Sequence, residues 1–248
     1  MTPGLCYLLI DISNSLTKLA FASKARIGRS TRISTSRFSC GFLRAFMKRR
    51  KIEMLVVCSV VPKKNREVQR AARKRKVLWL NARSKLGVGI AYPKPETIGA
   101  DRLANAAAVA ALYGCPAIVV DFGTAVTFDI VSAQRKYIGG VIAPGLESMT
   151  NFLYQRTALL PKLSLQEPRS AVGRSTIEAM RSGAVIGYRG LVREIIGKIN
   201  AERFPRKKVH VIATGGYADL IAARLHEIDA VHPNLTLEGL RIVANLNF

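Results

Sequence analysis

The sequence predicts an α/β fold built from two similar halves, and three observations support this. At residues 117–131 the stretch AIVVDFGTAVTFDIV runs from an apolar strand through a polar turn into a second strand. The stretch LLIDISNSLTKLAF at residues 8–21 repeats that pattern 110 positions earlier. After each copy, helices alternate with strands, an order typical of mixed sheets covered by helices. We therefore expect two domains, 1–115 and 116–248.

The two copies place the same kinds of polar group in their turns. The offset of 110 residues pairs Asp11 with Asp121, Ser13 with Gly123, Asn14 with Thr124 and Thr17 with Thr127. Such a turn presents a carboxylate, backbone amides and a hydroxyl at a sheet edge, where they suit a nucleotide phosphate and its cations. One copy alone would be better explained by an ordinary Asx-type turn. The repetition favours two phosphate-facing hairpins.

The first half contains the patterns of five strands and three helices. Apolar or alternating runs predict strands at 5–10, 16–22, 32–35, 54–60 and 77–80. Apolar residues at helical spacing predict helices at 40–50, 62–74 and 100–113. Pro62 suits a first helical turn, and Gly114 suits the position just past a helix end. The Gly- and Pro-rich segment 81–96 is expected to be a loop.

The second half repeats this order. Strands are predicted at 117–121, 124–131, 137–143 and 209–213. Helices are predicted from Pro144-Gly145 to residue 156, at 175–200, after Gly216 and at 235–246. No linker between the halves is long enough to serve as more than a hinge.

Basic residues dominate the first half, and the net charge of the chain is +23. Twenty of the 39 Lys and Arg residues lie between Lys24 and Lys85, with only Glu53 and Glu67 against them. Such a region suits a solvated face, attraction of an anionic substrate, or nucleic-acid binding. Few aromatic residues interleave with these charges, which disfavours binding of single strands by base stacking. We expect a solvated basic surface, with nucleic-acid binding as the less favoured alternative.

Composition also bears on location and metal content. No apolar run approaches the roughly 18 residues needed to span a bilayer. The apolar run 5–10 is too short for a signal peptide. Four cysteines and three histidines are scattered without metal-ligand spacing, so a zinc site is not expected. We expect a cytoplasmic protein without a membrane segment.

The polar turns carry candidate phosphate and cation ligands. Those of the first turn are Asp11, Ser13, Asn14, Ser15 and Lys18. Backbone amides and Lys18 suit phosphate oxygens, and Asp11 suits Mg²⁺ held through water. In the second turn, Thr124 is the better phosphate donor and Asp121 the better cation ligand. A third turn, Thr214-Gly215-Gly216, also exposes backbone, although a turn of this kind can simply end a strand.

Two helix starts carry the other candidate groups. Gly99-Ala100-Asp101-Arg102 places an acid beside a base at a helix N-terminus, where the dipole favours an anion. Asp101 could take a proton from a hydroxyl that attacks a γ-phosphate, while Arg102 gathers a carboxylate or phosphate. Stabilisation of its own helix by Asp101 is an equally good explanation. Thr176 lies at another helix start, where an N-cap by Ser175 or Thr176 would also explain the pattern.

In their order along the chain, these segments resemble the motifs of type III pantothenate kinases, members of the acetate/sugar kinase–Hsp70–actin-like superfamily. The resemblance covers nearly the whole chain and rests on DISNSLTK (11–18), Tyr92 ahead of IGADR (98–102), VVDFGTAVTFD (119–129), YIGGVIAPG (137–145), GRSTIEAM (173–180) and VIATGG (211–216). It implies two ribonuclease-H-like (actin-like ATPase) domains whose mixed sheets face a central cleft. It also implies ATP-dependent phosphorylation of pantothenate to 4'-phosphopantothenate, the first step of coenzyme A biosynthesis.

The resemblance implies roles for the matching residues. The 11–18 turn and Thr124 would contact ATP, and Asp101 would be the general base on the pantothenate hydroxyl. The residues implied to line the pantothenate site are Tyr92, Gly99, Ala100, Arg102 and Thr176. Asp121 would hold the K⁺ or NH₄⁺ that this family requires, beside Mg²⁺ on the phosphates. A homodimer is implied, with part of each pantothenate site built across its interface.

One position departs from the family pattern D-x-G-N-[ST], because Ser13 stands where glycine is expected. If the turn needs a positive φ or very close phosphate approach there, serine costs about 1 kcal/mol or more and weakens ATP binding. The alternative function is then a catalytically weakened family member acting as a regulatory or nucleic-acid-binding accessory protein. A kinase for another small hydroxylated acid is a third alternative, which the intact Tyr92, GADR and Thr176 set disfavours.

Overall fold

A computed structural model describes residues 7–48 and 50–248 of the chain. The chain divides into two compact units at the Gly114–Cys115 peptide. Two segments depart from the expected division into 1–115 and 116–248, because Gln134–Gly139 and Asn234–Phe248 group with the first unit. The second unit consists of Cys115–Ala133 and Gly140–Pro233.

The described residues form eleven strands and seven helices. The strands are β1 (Tyr7–Ile12), β2 (Leu16–Ala22), β3 (Thr31–Ser34), β4 (Met54–Ser59), β5 (Lys76–Trp79), β6 (Gly89–Ile90), β7 (Ala117–Phe122), β8 (Ala125–Val131), β9 (Lys136–Pro144), β10 (His210–Gly215) and β11 (Ala230–Val231). The helices are α1 (Cys40–Met47), α2 (Pro62–Ala72), α3 (Ala100–Leu112), α4 (Leu146–Arg156), α5 (Thr176–Arg203), α6 (Ala218–Ala222) and α7 (Leu235–Asn247).

The predicted strands and helices are confirmed, with small differences at their ends. Residues 5 and 6 of the predicted first strand lie outside the described residues. Helix α1 ends at Met47 rather than near residue 50. The two-residue strands β6 and β11 were not predicted, because so short a strand leaves no periodic pattern in the sequence.

The two units share one sheet topology. In the first unit the strand order is β3-β2-β1-β4-β5, and in the second it is β9-β8-β7-β10-β11. The central strands β1 and β7 each pair antiparallel with the next strand in sequence, β2 and β8, and parallel with β4 and β10. Strand β6 pairs with Lys136 and Tyr137 at the start of β9, which belong to the first unit. The predicted α/β class with mixed sheets and an internal repeat is confirmed.

Helices cover both faces of the first sheet. Every residue of β1 is buried. On one face, Leu8 and Ile10 pack with Leu43 of α1 and Val68 of α2. Helices α3 and α7 pack against each other and against the strands. No helix within the described ranges has both the length and the apolar character needed to cross a membrane.

The contact between α3 and α7 is very close. Gly239 of α7 lies against the backbone of Ala104, which a β-carbon at position 239 would overlap. Nearby, the buried Thr236 hydroxyl donates to Asn105 Oδ1 over 2.9 Å. Gly114 follows α3 with a φ of +98°, as expected for a glycine that ends a helix. The helix that begins with the predicted catalytic group is therefore fixed along its length by the C-terminal helix.

A buried arginine ties the long helix α5 to its surroundings in the second unit. Arg189 donates from Nη1 and Nη2 to the two carboxylate oxygens of Glu167, at 3.0 and 2.6 Å. It also donates to the carbonyls of Leu220 and Ile221. The Arg189 hydrogen bond holds the pKa of Glu167 below its usual range. Because both charges are paired and hydrogen-bonded, the buried guanidinium is tolerated.

The close α3–α7 contact leads to a stability prediction with an unusual sign. Alanine is normally better than glycine inside a helix by about 1 kcal/mol. Gly239→Ala is nevertheless expected to destabilise the protein by roughly 1–3 kcal/mol, because α3 and α7 must move apart. Gly197→Ala in α5 is the matched control, since its added methyl group meets no atom within 4 Å. Thermal unfolding of both variants tests this, and an unchanged or raised Tm for Gly239→Ala would contradict it.

Candidate active site

The first hairpin turn places Asp11 at the base of a short polar loop. Ile12 pairs with Thr17, so residues 13–16 form the loop, and Lys18 lies directly across from Asp11. Asp11 is only 4% exposed, whereas Asn14 and Ser15 are exposed. The Ser13 hydroxyl donates to Asp11 Oδ1 over 3.2 Å. The turn therefore brings together the five residues predicted for it.

Ser13 is accommodated without backbone strain. Its φ does not lie in the left-handed region, so this turn does not need the conformational freedom of glycine. Its amide donates to the carbonyl of Leu16 at 3.2 Å, which closes the turn. Serine is expected to be costly if this position needs a positive φ or very close approach of a phosphate. The first of these requirements is absent.

The second hairpin has a turn one residue shorter. Phe122 pairs with Val126, so only residues 123–125 form the loop, and Asp121 faces Thr127 across the strands. The offset of 110 residues therefore holds only up to the turn. Lys18, and not Thr17, takes the position equivalent to Thr127, and the predicted match of Thr17 with Thr127 was wrong. One residue fewer shifts every later side chain to the other face.

Thr17 has a different role as a result. It is fully buried, and its hydroxyl lies 3.0 Å from that of Thr35. Thr35 in turn donates to the carbonyl of Ser13 over 2.7 Å. Thr17 is therefore a buried residue that stabilises the first turn through Thr35, and its side chain does not line the turn.

Backbone contacts hold the second turn in place. The Gly145 amide and the Ser148 hydroxyl both donate to the Thr124 carbonyl, at 3.0 and 2.8 Å. A β-carbon on Gly145 would overlap that carbonyl, so α4 can begin here only because residue 145 is glycine. The Thr124 side chain stays exposed at the tip of the loop.

The Thr214-Gly215-Gly216 turn lies beside this hairpin. Gly215 has a φ of +98° and lies against the Phe122 backbone, and the Gly216 amide donates to the Phe122 carbonyl at 3.0 Å. Thr214 pairs in register with Asp121, as does Thr127 from the other side, so the three side chains share one face of the sheet. Thr214 is 1% exposed, and its Oγ1 has no hydrogen-bond partner in the part of the chain that the structure describes.

A tyrosine–glutamate pair links α4 to the same turn and was missed by the sequence analysis. The Tyr217 hydroxyl donates to Glu147 Oε2 over 3.1 Å. Burial, reinforced by the Glu147 carboxylate, raises the pKa of Tyr217 to about 12, so this hydroxyl stays protonated. The two residues are 70 positions apart, and no local pattern connects them.

At the start of α3, Asp101 has the local contact expected of a helix-capping carboxylate. Its Oδ1 accepts a hydrogen bond from the Arg102 amide over 2.8 Å. Gly99 is the N-cap, and a β-carbon there would stand 2.5 Å from the same oxygen. Gly99 therefore makes room for the carboxylate, and Ala100 begins the helix.

Tyr92 and Arg102 meet on a shared aromatic ring. The Tyr92 ring lies edge-on to that of Tyr137, with centroids 6.1 Å apart. The Arg102 guanidinium carbon lies 5.7 Å from the centroid of the same Tyr137 ring. The structure thus brings together two predicted pantothenate-site residues of the first unit.

A cavity of about 590 Å³ borders this helix start in the first unit. Gly99 and Ala100 form part of its wall, together with Ser59 at the end of β4. Arg83 and Glu96 also line it, and neither was singled out from the sequence. Its volume suits a small metabolite.

Thr176 is the first residue of α5 in the second unit. Ser175 is the N-cap and accepts from the Glu178 amide at 3.3 Å, while Glu178 Oε2 accepts from the Arg174 amide at 2.8 Å. These two hydrogen bonds satisfy amides at the start of α5 without Thr176, whose side chain is exposed.

Metal ligands within the described residues are sparse. No three His, Cys, Asp or Glu side chains come together there. Asp11 and Asp121, the two acids singled out from the sequence as cation ligands, each lie near the end of a central strand.

Comparison with known proteins finds relatives that match most of this chain. A family model of type III pantothenate kinases matches residues 7–198. A type III pantothenate kinase of Akkermansia muciniphila is 50% identical over 242 residues, 97% of this chain and 99% of that protein. One of Methylacidiphilum infernorum is 42% identical over 239 residues, 96% of this chain and 88% of that protein.

A solved structure shares the fold at low identity. The activator of the 2-hydroxyisocaproyl-CoA dehydratase from Clostridium difficile, with bound ADPNP, superposes with a TM-score of 0.55. It is 13% identical, and the match covers 97% of this chain and 94% of that one. The predicted actin-like fold class is confirmed. By the family model and the identity to two curated relatives, this chain belongs to the type III pantothenate kinase family.

Proposed function

We propose that this protein transfers the γ-phosphoryl group of ATP to the terminal hydroxyl of pantothenate. The product is 4'-phosphopantothenate, and the reaction is the first step of coenzyme A biosynthesis. The observation that carries the proposal is the start of α3, where Asp101 lies at the helix N-terminus and Arg102 shares a buried ring with Tyr92. Family membership supports the choice of pantothenate. We place the protein in the cytoplasm, where ATP is available.

In the proposed reaction Asp101 is the general base. Its carboxylate accepts the hydroxyl proton while the hydroxyl oxygen bonds to the γ-phosphorus. The bond from that phosphorus to the bridging oxygen breaks, and ADP leaves with the electron pair. Phosphoryl transfer of this kind depends mainly on positioning and charge neutralisation.

We assign the pantothenate site to the groups around α3. Arg102 pairs with the substrate carboxylate, and Tyr92, Gly99 and Ala100 contact the rest of the molecule. The N-terminal end of α3 adds a favourable dipole for an anion. In the homodimer proposed below, Thr176 of the partner subunit contributes a hydroxyl.

ATP and its cations are assigned to the two hairpin turns. The residues proposed to contact the ATP phosphates are Asp11, Ser13, Asn14, Ser15, Lys18 and Thr124. Asp11 holds Mg²⁺ through water, and this cation neutralises charge on the phosphates. Asp121 holds K⁺ or NH₄⁺. The oxygen-rich row of Asp121, Thr127 and Thr214, with its unpartnered Thr214 Oγ1, supports a cation or ligand there.

We further propose a homodimer formed through the outer face of α4 and α5. These helices border a groove of about 710 Å³ whose walls are mostly apolar, including Met149, Phe152, Leu153, Met180 and Leu191. Phe152 is 58% exposed, which is unusual for a large apolar side chain beside such a groove. The exposed face continues along α5 through Ile177 to Thr176. A second copy seated here would bring Thr176 of one protomer to the pantothenate site of its partner.

The alternative of a weakened, nucleic-acid-binding family member depended on Ser13 and the basic region 24–85. The ordinary φ of Ser13 supports the kinase instead. Three basic side chains of α2 are exposed, namely Lys63, Arg66 and Arg70. Glu67, the acidic residue of this helix, accepts a hydrogen bond from the Cys40 amide over 2.7 Å. These exposed basic side chains are the surface on which nucleic-acid binding, the alternative function, can be tested.

Asp101→Asn is expected to lower kcat by roughly 10²- to 10⁴-fold, because the amide cannot accept the hydroxyl proton. Formation of phosphopantothenate from ATP and pantothenate measures this directly. Glu53→Gln removes a carboxylate from an exposed site in the same unit and serves as the control. Near wild-type turnover in Asp101→Asn would remove Asp101 from the role of base. A folded wild-type protein without product, but with steeply salt-dependent affinity for RNA or DNA, would favour the alternative function.

Activity is expected with K⁺ or NH₄⁺ and to be very low with Na⁺ as the only monovalent cation. Asp121→Asn should raise the K⁺ concentration for half-maximal activity by roughly tenfold or more, since a charged ligand is lost. Asp219→Asn, an exposed acid on α6, should leave that concentration unchanged. Equal activity with all three cations would contradict the assignment of Asp121.

Phe152→Asp is expected to convert the dimer into monomers, because a carboxylate cannot be buried in the apolar groove. Light scattering gives the mass, and the pantothenate KM should rise as Thr176 leaves the partner's site. Phe248→Asp is a matched control, since Phe248 is 56% exposed and lies in the first unit. A wild-type monomer, or a dimer that Phe152→Asp leaves intact, would rule out this interface.

A further inference from the structure

Tyr137 has no role in the proposed reaction, yet its ring touches two of the residues that do. It is fully buried, at 0% exposure. The Tyr92 ring meets it at an interplanar angle of 65°, and the Arg102 guanidinium carbon lies 5.7 Å from its centroid. Both contacts lie within the first unit.

The two contacts are of kinds that fix orientation. An edge-to-face pair of rings stabilises beyond the effect of its buried area and favours one mutual orientation. A guanidinium within about 6 Å of a ring centroid is attracted by the ring quadrupole, and more strongly where both groups are shielded from water. These contacts hold the Arg102 side chain, on helix α3, and the Tyr92 side chain, on the loop after β6, in a fixed position relative to each other.

Backbone pairing strengthens this arrangement. Strand β6 pairs with the start of β9, with Ile90 opposite Tyr137, and the Ala91 amide donates to the Tyr137 carbonyl over 2.8 Å. Tyr92 follows directly. Gly139 has a φ of +131°, and a β-carbon there would lie 3.8 Å from the Tyr92 ring. The segment 135–139 thus supports the Tyr92 loop through both its backbone and its side chains.

We propose that Tyr137 is a positioning residue for the acceptor substrate. Its buried ring sets the distance and angle between the Tyr92 ring and the Arg102 guanidinium, so that a small carboxylate-bearing alcohol is bound with its hydroxyl at Asp101. Tyr137 acts through these two side chains and does not contact the substrate. The inference rests on the proposed function of Tyr92 and Arg102.

Replacement of the ring separates this role from simple core packing. Tyr137→Leu should raise the KM for pantothenate by about 10- to 100-fold, because both ring contacts are lost. The KM for ATP should change by less than about threefold, since the nucleotide is assigned to other residues. Tyr137→Phe keeps the ring and should restore pantothenate KM to within about threefold of wild type. Phe38→Leu, at a 1% exposed core position of the same unit, controls for loss of a buried ring.

A second measurement guards against poor folding of Tyr137→Leu. Calorimetric titration of the folded variants with pantothenate alone should show the same ranking of affinity. In an Arg102→Ala background, Tyr137→Leu should have a clearly smaller effect, as expected for coupled residues. The inference is overturned if Tyr137→Leu changes both KM values equally or neither. It is also overturned if Phe38→Leu gives the same shift, or if Tyr137→Phe is as damaging as Tyr137→Leu. A wild-type protein that does not phosphorylate pantothenate would instead refute the proposed function itself.

Discussion

The central strand of each sheet imposes the constraint on which the other features depend. Strands β1 and β7 are apolar along most of their length and pair on both sides, antiparallel with one neighbour and parallel with the other. A carboxylate near the end of such a strand can be satisfied by water or a ligand. Asp11 and Asp121 occupy that position in the two units. The two polar turns come directly after β1 and β7 in the chain. Their polar groups therefore lie at the edge of a rigid core.

Close backbone approach then sets the geometry around those ends. Gly145, Gly215 and Gly239 each lie where a side chain would overlap another part of the backbone. Through these contacts α4 holds the Thr124 carbonyl, the 214–216 turn packs on Phe122, and α7 locks α3. Interiors this dense transmit even small displacements to their neighbours. Groups that must position a phosphate or a hydroxyl are therefore held by packing, and not only by their own hydrogen bonds.

The residues around the start of α3 show how a buried side chain can position a site that it does not line. Asp101 is fixed by its own helix start, whereas Arg102 and Tyr92 depend on the Tyr137 ring from a distant part of the chain. The N-cap hydrogen bond of Ser175 likewise satisfies an amide at the start of α5, while Thr176 is exposed. In both places, local hydrogen bonding stabilises the start of the helix.

Sequence reasoning found nearly all the strands and helices, because each has a local apolar period and recognisable ends such as Pro62 and Gly114. It also found both polar hairpins and the Gly99–Arg102 helix start, since their residues are adjacent in the chain. The shorter second turn, which makes Lys18 the counterpart of Thr127, depended on strand register that no local pattern encodes. The Tyr217–Glu147 pair, the β6–β9 pairing beside Tyr92 and the docking of α7 on α3 join residues 47 to 131 positions apart. Such pairings are selected by burial and shape complementarity in the folded chain, and they leave no periodic trace in the sequence.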